Sequence, residues 1–169
     1  MKVFLIGFMG CGKTTLGKKL ASKTGFSFVD LDKLIEQQAG KTIPEYFSEH
    51  GEAKFRELER DVLQSTTFSE NSIIATGGGA PCYFDNMDWM NKEGLTVYIS
   101  LSPAALASRL EKADEVRPVL KDYKGEELVA FIGGKLEERD PFYNKAQIIA
   151  SGLGLTADKL WALLNDQRK

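Results

Sequence analysis

The sequence predicts an α/β fold in which a central five-stranded parallel sheet carries helices on both faces. Three observations predict it. Short apolar runs alternate with longer stretches of helical period along the chain. The first run leads straight into Gly7-Phe8-Met9-Gly10-Cys11-Gly12-Lys13-Thr14-Thr15, which satisfies G-x-x-x-x-G-K-[ST] between a strand and a helix. Carboxylates or glycines then follow the second and third runs, at the sheet edge where open parallel sheets bind ligands.

Taken in order, Lys2-Val3-Phe4-Leu5-Ile6 reads as a strand buried on both faces. The glycines after it let backbone N–H groups turn inward as an anion nest, at the positive end of the next helix. That helix, Thr14 to Lys23, has Leu16 and Leu20 four apart and no proline. Lys13 supplies a point charge for outer phosphates, and the Thr14 hydroxyl is placed to ligate Mg²⁺. The stretch is expected to bind a nucleoside triphosphate. Gly25 closes the helix, and Phe26-Ser27-Phe28-Val29-Asp30-Leu31-Asp32 reads as a second strand ending in two carboxylates. Two apart on a strand, Asp30 and Asp32 would point the same way at the phosphate-binding edge. The competing reading makes them caps of the next helix.

A short helix ends at Gly40, and Thr42-Ile43-Pro44-Glu45 reads as a capping box with proline in the first turn. His50-Gly51 is expected to break this helix, which gives the sole histidine a dipole role rather than a catalytic one. From Glu52 an amphipathic helix carries Phe55, Leu58, Val62 and Leu63 on one face. Arg56 and Glu59 lie three apart. They are either a surface ion pair worth under about 1 kcal/mol or an arginine oriented by Glu59 toward an anionic substrate. Ser72 to Thr76 is the third strand, and Gly77-Gly78-Gly79 beyond it suits close backbone approach to a ligand.

Met87, Trp89 and Met90 belong to a helix closed by Gly94, and Leu95 to Leu101 is the fourth strand. Ser102-Pro103 starts a helix through Leu106 and Leu110, with Arg109 near its end. Lys112 to Lys124 is polar and aperiodic, a candidate lid closing over phosphates with Arg117 as its cation. Gly125 to Asp140 reads as helix broken at Gly133-Gly134. Gln147-Ile148-Ile149-Ala150 is a fifth strand, and Thr156 caps a last helix with Leu160, Trp161, Leu163 and Leu164 inward.

Composition narrows the partners. At 169 residues the chain is expected to be one domain, 1–169, with a sizeable core. With 22 basic and 24 acidic residues, a net charge of −2 and no basic cluster, nucleic acid and anionic membranes are not expected partners. No apolar run approaches the roughly 20 residues that span a bilayer, and the N-terminus does not read as a signal peptide. Cys11 and Cys82 form neither a disulfide framework nor a metal-ligand spacing, which fits a reducing cytoplasm.

With these residues in place, the sequence resembles the shikimate kinase family over essentially its full length. The phosphate loop, Asp30-x-Asp32, Phe55-Arg56 with Glu59, and Gly77-Gly78-Gly79 carry the resemblance, with Arg117-Pro118 and Arg139-x-Pro141-x-Tyr143 at the expected spacing. It implies a three-layer P-loop kinase fold with substrate-binding helices (about 33–61) and a mobile lid (about 112–124). The implied reaction is ATP-dependent phosphorylation of the shikimate 3-hydroxyl, giving shikimate 3-phosphate and ADP, a step toward chorismate and the aromatic amino acids. By the same resemblance, Arg56 and Arg139 grip the substrate carboxylate, while Asp32 and Gly77, Gly78 and Gly79 hold the ring hydroxyls. Lys13, Asp32 and Arg117 are the implied catalytic residues, with Asp32 as base. Gly10, Cys11, Gly12, Lys13, Thr14, Thr15, Arg109 and Arg117 are the implied ATP contacts, Arg109 lying on the adenine face. Thr14 and Asp30 are the implied Mg²⁺ ligands, the latter through water. The protein is expected to be a monomer in the cytoplasm.

Where the family usually has two leucines after Arg-Pro, this chain has Val119-Leu120, a packing difference. Cys11 takes a variable loop position, where a thiol beside the phosphate nest is expected to be open to oxidation. Two other readings compete. One keeps the fold but changes the acceptor, to gluconate first, or a nucleoside monophosphate or adenylylsulfate. The other is a nucleotide-binding regulatory module without catalysis. The triple glycine and Arg139-x-Pro141 oppose the first, and Lys13, Thr14, Asp32 and Arg117 together oppose the second.

Overall fold

The computed structural model describes residues 1–113 and 120–169. Five parallel strands make one sheet: β1 (Lys2–Ile6), β2 (Ser27–Asp30), β3 (Ser72–Ala75), β4 (Leu95–Ser100) and β5 (Ile148–Ser151), in the order β2-β3-β1-β4-β5. Central β1 pairs Lys2 with Ser72 on one side and Val3 with Leu95 on the other. Its Val3-Phe4-Leu5-Ile6 run is fully buried because helices cover both faces of the sheet there. Edge strand β5 alternates buried and exposed residues instead.

Between the strands run α1 (Lys13–Thr24), α2 (Leu31–Ala39), α3 (Ile43–Ser65), α4 (Asn86–Glu93), α5 (Pro103–Glu111), α6 (Gly125–Tyr143) and α7 (Ala157–Asp166), with a 3₁₀ turn at Ala80–Cys82. Their termini follow the expected chemistry. Gly25 and Gly40 close α1 and α2 at φ 75° and 70°. The Thr42 hydroxyl accepts from the Glu45 N–H while Glu45 accepts from the Thr42 N–H, so the capping box forms in full. Ser102 and Thr156 cap α5 and α7 through their hydroxyls. Phe4 meets Phe68 and Trp89 edge-on at 5.9 and 6.0 Å, and Met87 and Met90 are buried beside them.

Three expectations need correction. The second strand stops at Asp30, whose carboxylate accepts from the N–H groups of Asp32 (3.1 Å) and Lys33 (3.4 Å) and starts α2. Asp30 is therefore a helix cap and Asp32 a first-turn helical residue; they are not alternate residues of one strand. The expected break at His50-Gly51 does occur: Gly51 is not helical (φ 81°, ψ 173°), so α3 is two helical stretches meeting at a kink there. Helix α6 is continuous through Gly133 and Gly134, because burial of Leu128, Ile132 and Leu136 outweighs the roughly 1 kcal/mol that each glycine costs. On α7, Leu160 and Leu164 are buried while Leu163 faces outward.

Candidate active site

The carboxyl edge of the sheet holds a cleft of about 890 Å³. Strand β1 delivers the phosphate loop to it. Gly7, Gly10 and Gly12 sit at φ 148°, 82° and 100°, backbone that only glycine takes up without strain. Lys13 is almost buried, and its Nζ donates to the carbonyls of Gly7 (2.6 Å) and Phe8 (3.1 Å). The ammonium thus lies curled against the loop it serves. Thr14 and Thr15 stand exposed at the start of α1, lining the cleft with Gly10, Cys11, Gly12, Asp30 and Asp32.

Two further walls close the cleft. Arg109 reaches over from α5, its Nη1 donating to the Cys11 carbonyl at 3.2 Å. Gly152, Leu155, Thr156 and Ala157 contribute another stretch. Sequence reading missed it, although its glycine directly follows the fifth strand on the same sheet edge. The Cys11 thiol is 3% exposed and turned inward, so the expectation that it is open to oxidation fails for lack of solvent access.

On the acceptor side, Gly77, Gly78 and Gly79 adopt no left-handed backbone; the requirement there is space. A Cβ on Gly77 would stand 2.9 Å from Asp32 Oδ1 and 3.3 Å from Glu59 Oε2. On Gly78 it would stand 3.2 Å from Arg139 Nη1, and on Gly79 it would lie 2.5–2.8 Å from the Arg56 guanidinium. Side chains from α2, α3 and α6 therefore converge on one stripped stretch of backbone. What the glycines admit directly is the protein's own charged groups.

Arg56 and Glu59 are not a surface pair. Their contact is 2.9 Å, with side chains only 13% and 1% exposed. Burial pushes the Glu59 carboxyl up to about 7, against the pull of Arg56 and, more weakly, Arg139, while Asp32 adds repulsion. Burial also opposes the charge on Arg56, but Glu59, Tyr83 and Glu52 together outweigh it and raise its pKa. Arg139 lies over the Phe8 ring at 5.2 Å and donates to the Tyr143 hydroxyl at 3.4 Å. Tyr143 in turn donates to the Gly78 carbonyl and stays protonated, since burial raises its pKa well beyond the usual range.

Arg117 lies outside the described residues. Of the expected lid, Leu120 is buried and Tyr123 stacks on Phe131 at 4.4 Å. Among the described residues no three His, Cys, Asp or Glu side chains gather as a metal cage. Thr14 and Asp30 nonetheless offer hard oxygens in one cleft, a donor set that suits Mg²⁺, which keeps most of its waters and takes substrate phosphates as ligands. Chemically, a glycine-rich loop of the kind that suits phosphates adjoins two guanidiniums, groups that suit a carboxylate, and the Asp32 carboxylate, a group that suits hydroxyls.

Comparison with known proteins agrees with this geometry. The family model described as shikimate kinase matches residues 9–162. A shikimate kinase of Parabacteroides distasonis is 54% identical over 147 residues, covering 87% of this chain and 85% of the relative. One from Bacteroides fragilis is 49% identical over 160 residues, covering 95% and 87%. The crystal structure of shikimate kinase from Bacteroides thetaiotaomicron superposes with a TM-score of 0.92 at 44% identity, covering 98% of each chain. That of Acinetobacter baumannii shikimate kinase in complex with shikimate gives 0.84 at 32% identity, covering 98% of this chain and 93% of the other.

Proposed function

The chain belongs to the shikimate kinase family, and we propose how its residues carry that family's reaction. The reaction transfers the γ-phosphoryl group of ATP to the 3-hydroxyl of shikimate, giving shikimate 3-phosphate and ADP. The observation that carries the assignment is the meeting of Asp32, Arg56, Glu59 and Arg139 at Gly77-Gly78-Gly79, beside the phosphate loop.

In this reading Arg56 and Arg139 take the substrate carboxylate, whose planar geometry matches the guanidinium fork. Asp32 and the N–H groups of Gly77, Gly78 and Gly79 hold the ring hydroxyls. Asp32 accepts the 3-hydroxyl proton as the new O–P bond forms and the bond to ADP breaks. Phosphoryl transfer depends mainly on alignment and charge, so orienting the hydroxyl is as large a part of its role as removing the proton. Lys13 exchanges the carbonyls of Gly7 and Phe8 for phosphate oxygens. The N–H groups from Gly10 to Thr15 cradle the phosphates, and Arg117 supplies a second cation to the transferring group. Arg109 takes one face of the adenine, opposite Gly152 to Ala157.

Thr14 and Asp30 would hold Mg²⁺, Asp30 through water, since one of its carboxylate oxygens already caps α2. Held there, Mg²⁺ would supply positive charge against that of the phosphates. The working unit in this reading is one chain in a reducing cytoplasm, which equilibrium sedimentation at the assay concentration tests. Among the described residues no helix is long and apolar enough to cross a membrane.

The test is ADP release with Mg²⁺-ATP and shikimate, gluconate, AMP or no acceptor. Shikimate alone should drive turnover. Asp32→Asn should lower kcat by about 10²- to 10⁴-fold, and Arg56→Ala should raise the KM for shikimate. An unaltered kcat in Asp32→Asn would remove Asp32 from the base role.

A further inference from the structure

The Arg56 guanidinium is held by more than Glu59. Tyr83, from the loop just past the 3₁₀ turn, lays its ring 4.3 Å from the guanidinium carbon. The Tyr83 hydroxyl donates to Glu52 Oε1 at 2.9 Å, and that same oxygen lies 3.5 Å from Arg56 Nη2. Glu59 takes Nη1 at 2.9 Å, and Gly79 leaves the room beneath. Nε is buried, with no hydrogen-bond partner among the described residues, so the fork is fixed from its tip and its face rather than from its stem. Burial and Glu52 both raise the Tyr83 pKa, which keeps the hydroxyl a donor at neutral pH.

We propose that Tyr83 is a positioning residue for the acceptor site: its ring carries the Arg56 guanidinium and its hydroxyl anchors Glu52 at the outer nitrogen. The two glutamates meet different nitrogens of the fork, so its rotation is set before substrate arrives. A preset fork meets a planar carboxylate without first losing rotamer freedom, and that entropy otherwise weakens binding. A phenylalanine would supply the ring but leave Glu52 untethered. The molecule contains its own control. Arg60 lies at the same 4.3 Å over Phe84, but Phe84 is 53% exposed and Arg60 has no assigned role toward the acceptor.

This inference rests on the reading of Arg56 as a carboxylate ligand, so the experiment includes Arg56→Ala. Steady-state kinetics are measured for Tyr83→Leu, Tyr83→Phe, Phe84→Leu and Arg56→Ala, with shikimate and with its neutral carboxamide analogue. Loss of the stacked ring should raise the shikimate KM about tenfold in Tyr83→Leu, with kcat and the KM for ATP unchanged. Loss of the hydroxyl alone should raise it about threefold in Tyr83→Phe, and Phe84→Leu should match wild type. With the carboxamide, Tyr83→Leu should differ little from wild type, a result that a merely structural role would not give.

An unchanged shikimate KM in Tyr83→Leu, alongside a raised one in Arg56→Ala, would overturn the inference and leave the Arg56 reading standing. An equal rise with both acceptors would reduce Tyr83 to a packing residue. An unchanged KM in Arg56→Ala would remove the Arg56 reading and this inference with it.

Discussion

Two glycine-rich stretches border the same cleft, and they use glycine for opposite reasons. In the phosphate loop Gly7, Gly10 and Gly12 hold left-handed or otherwise reserved backbone, the conformation by which, in the proposed reading, N–H groups turn toward phosphates. At Gly77-Gly78-Gly79 no φ is left-handed, and what requires glycine is the room its missing side chain leaves for Asp32, Glu59, Arg139 and Arg56. The first stretch makes its site from its own backbone. The second makes a site by standing aside for side chains that arrive from elsewhere. Backbone sites are therefore written in consecutive residues, whereas side-chain sites are written across the chain.

Single substitutions can separate the two terms. Gly7→Ala combines both faults, since its φ is 148° and a Cβ would lie 2.8 Å from the Ile99 carbonyl oxygen, which cannot rotate away. We expect loss of measurable nucleotide binding in a titration with an ATP analogue. Gly79→Ala carries only the steric fault. The new methyl would displace the Arg56 guanidinium, and overpacking of about 1–3 kcal/mol corresponds to a roughly five- to 150-fold rise in shikimate KM. The KM for ATP should not change; if it does, the two stretches are coupled more tightly than this comparison allows.

Glu59 tests whether the crowded stretch truly buries charge. Burial pushes its carboxyl from the ordinary 4.5 up to about 7 in the folded protein. Between those values the native state binds the extra proton, so the stability this group contributes is present at low pH and lost as pH rises toward 7. Glu59→Gln should therefore gain on wild type across that window, by a few kcal/mol at most. Urea titrations at pH 5 and pH 8 give the comparison, and parallel curves would mean that the carboxyl titrates normally.

The smallest effects calibrate the others. Gly40 has φ 70° and open space around it, so Gly40→Ala isolates the backbone term and should destabilise by about 1 kcal/mol. Gly134, inside α6 with nothing within 4 Å of a Cβ, has neither fault. Gly134→Ala should stabilise by about 0.5–1 kcal/mol. Thermal melts of both variants check the pair, and equal signs would break the distinction between the two uses of glycine.

The same division explains what could be read beforehand. The strands, the loop and the capping box are legible because period, spacing and capping act over a few residues. Asp30-x-Asp32 alternates as well on a strand as it caps a helix; Asp30 does end β2 beside Ala75, but Asp32 falls in α2 because the Asp30 carboxylate takes the N–H groups of Asp32 and Lys33. For Arg56 and Glu59 the spacing predicts the contact but not the burial, and the Tyr83 ring that lies on the Arg56 guanidinium comes from a distant loop. Nothing near Tyr83 in sequence signals its hydrogen bond to Glu52, 31 residues away. At Gly133-Gly134 local propensity pointed to a break that tertiary packing overrode.

Strand β1 sits in the middle of the sheet, paired with Ser72 and its neighbours on one side and with Leu95 and its neighbours on the other. A growing chain completes the phosphate-loop motif before β3 and β4, so the strand that holds the motif in shape has no partner until those later segments emerge. Closing loops of that length is slow compared with forming the helices between them. Nucleotide binding should thus appear late in refolding, after most of the helical signal has formed. Recovery of ATP-analogue fluorescence is consequently a reporter of sheet assembly rather than of the loop itself.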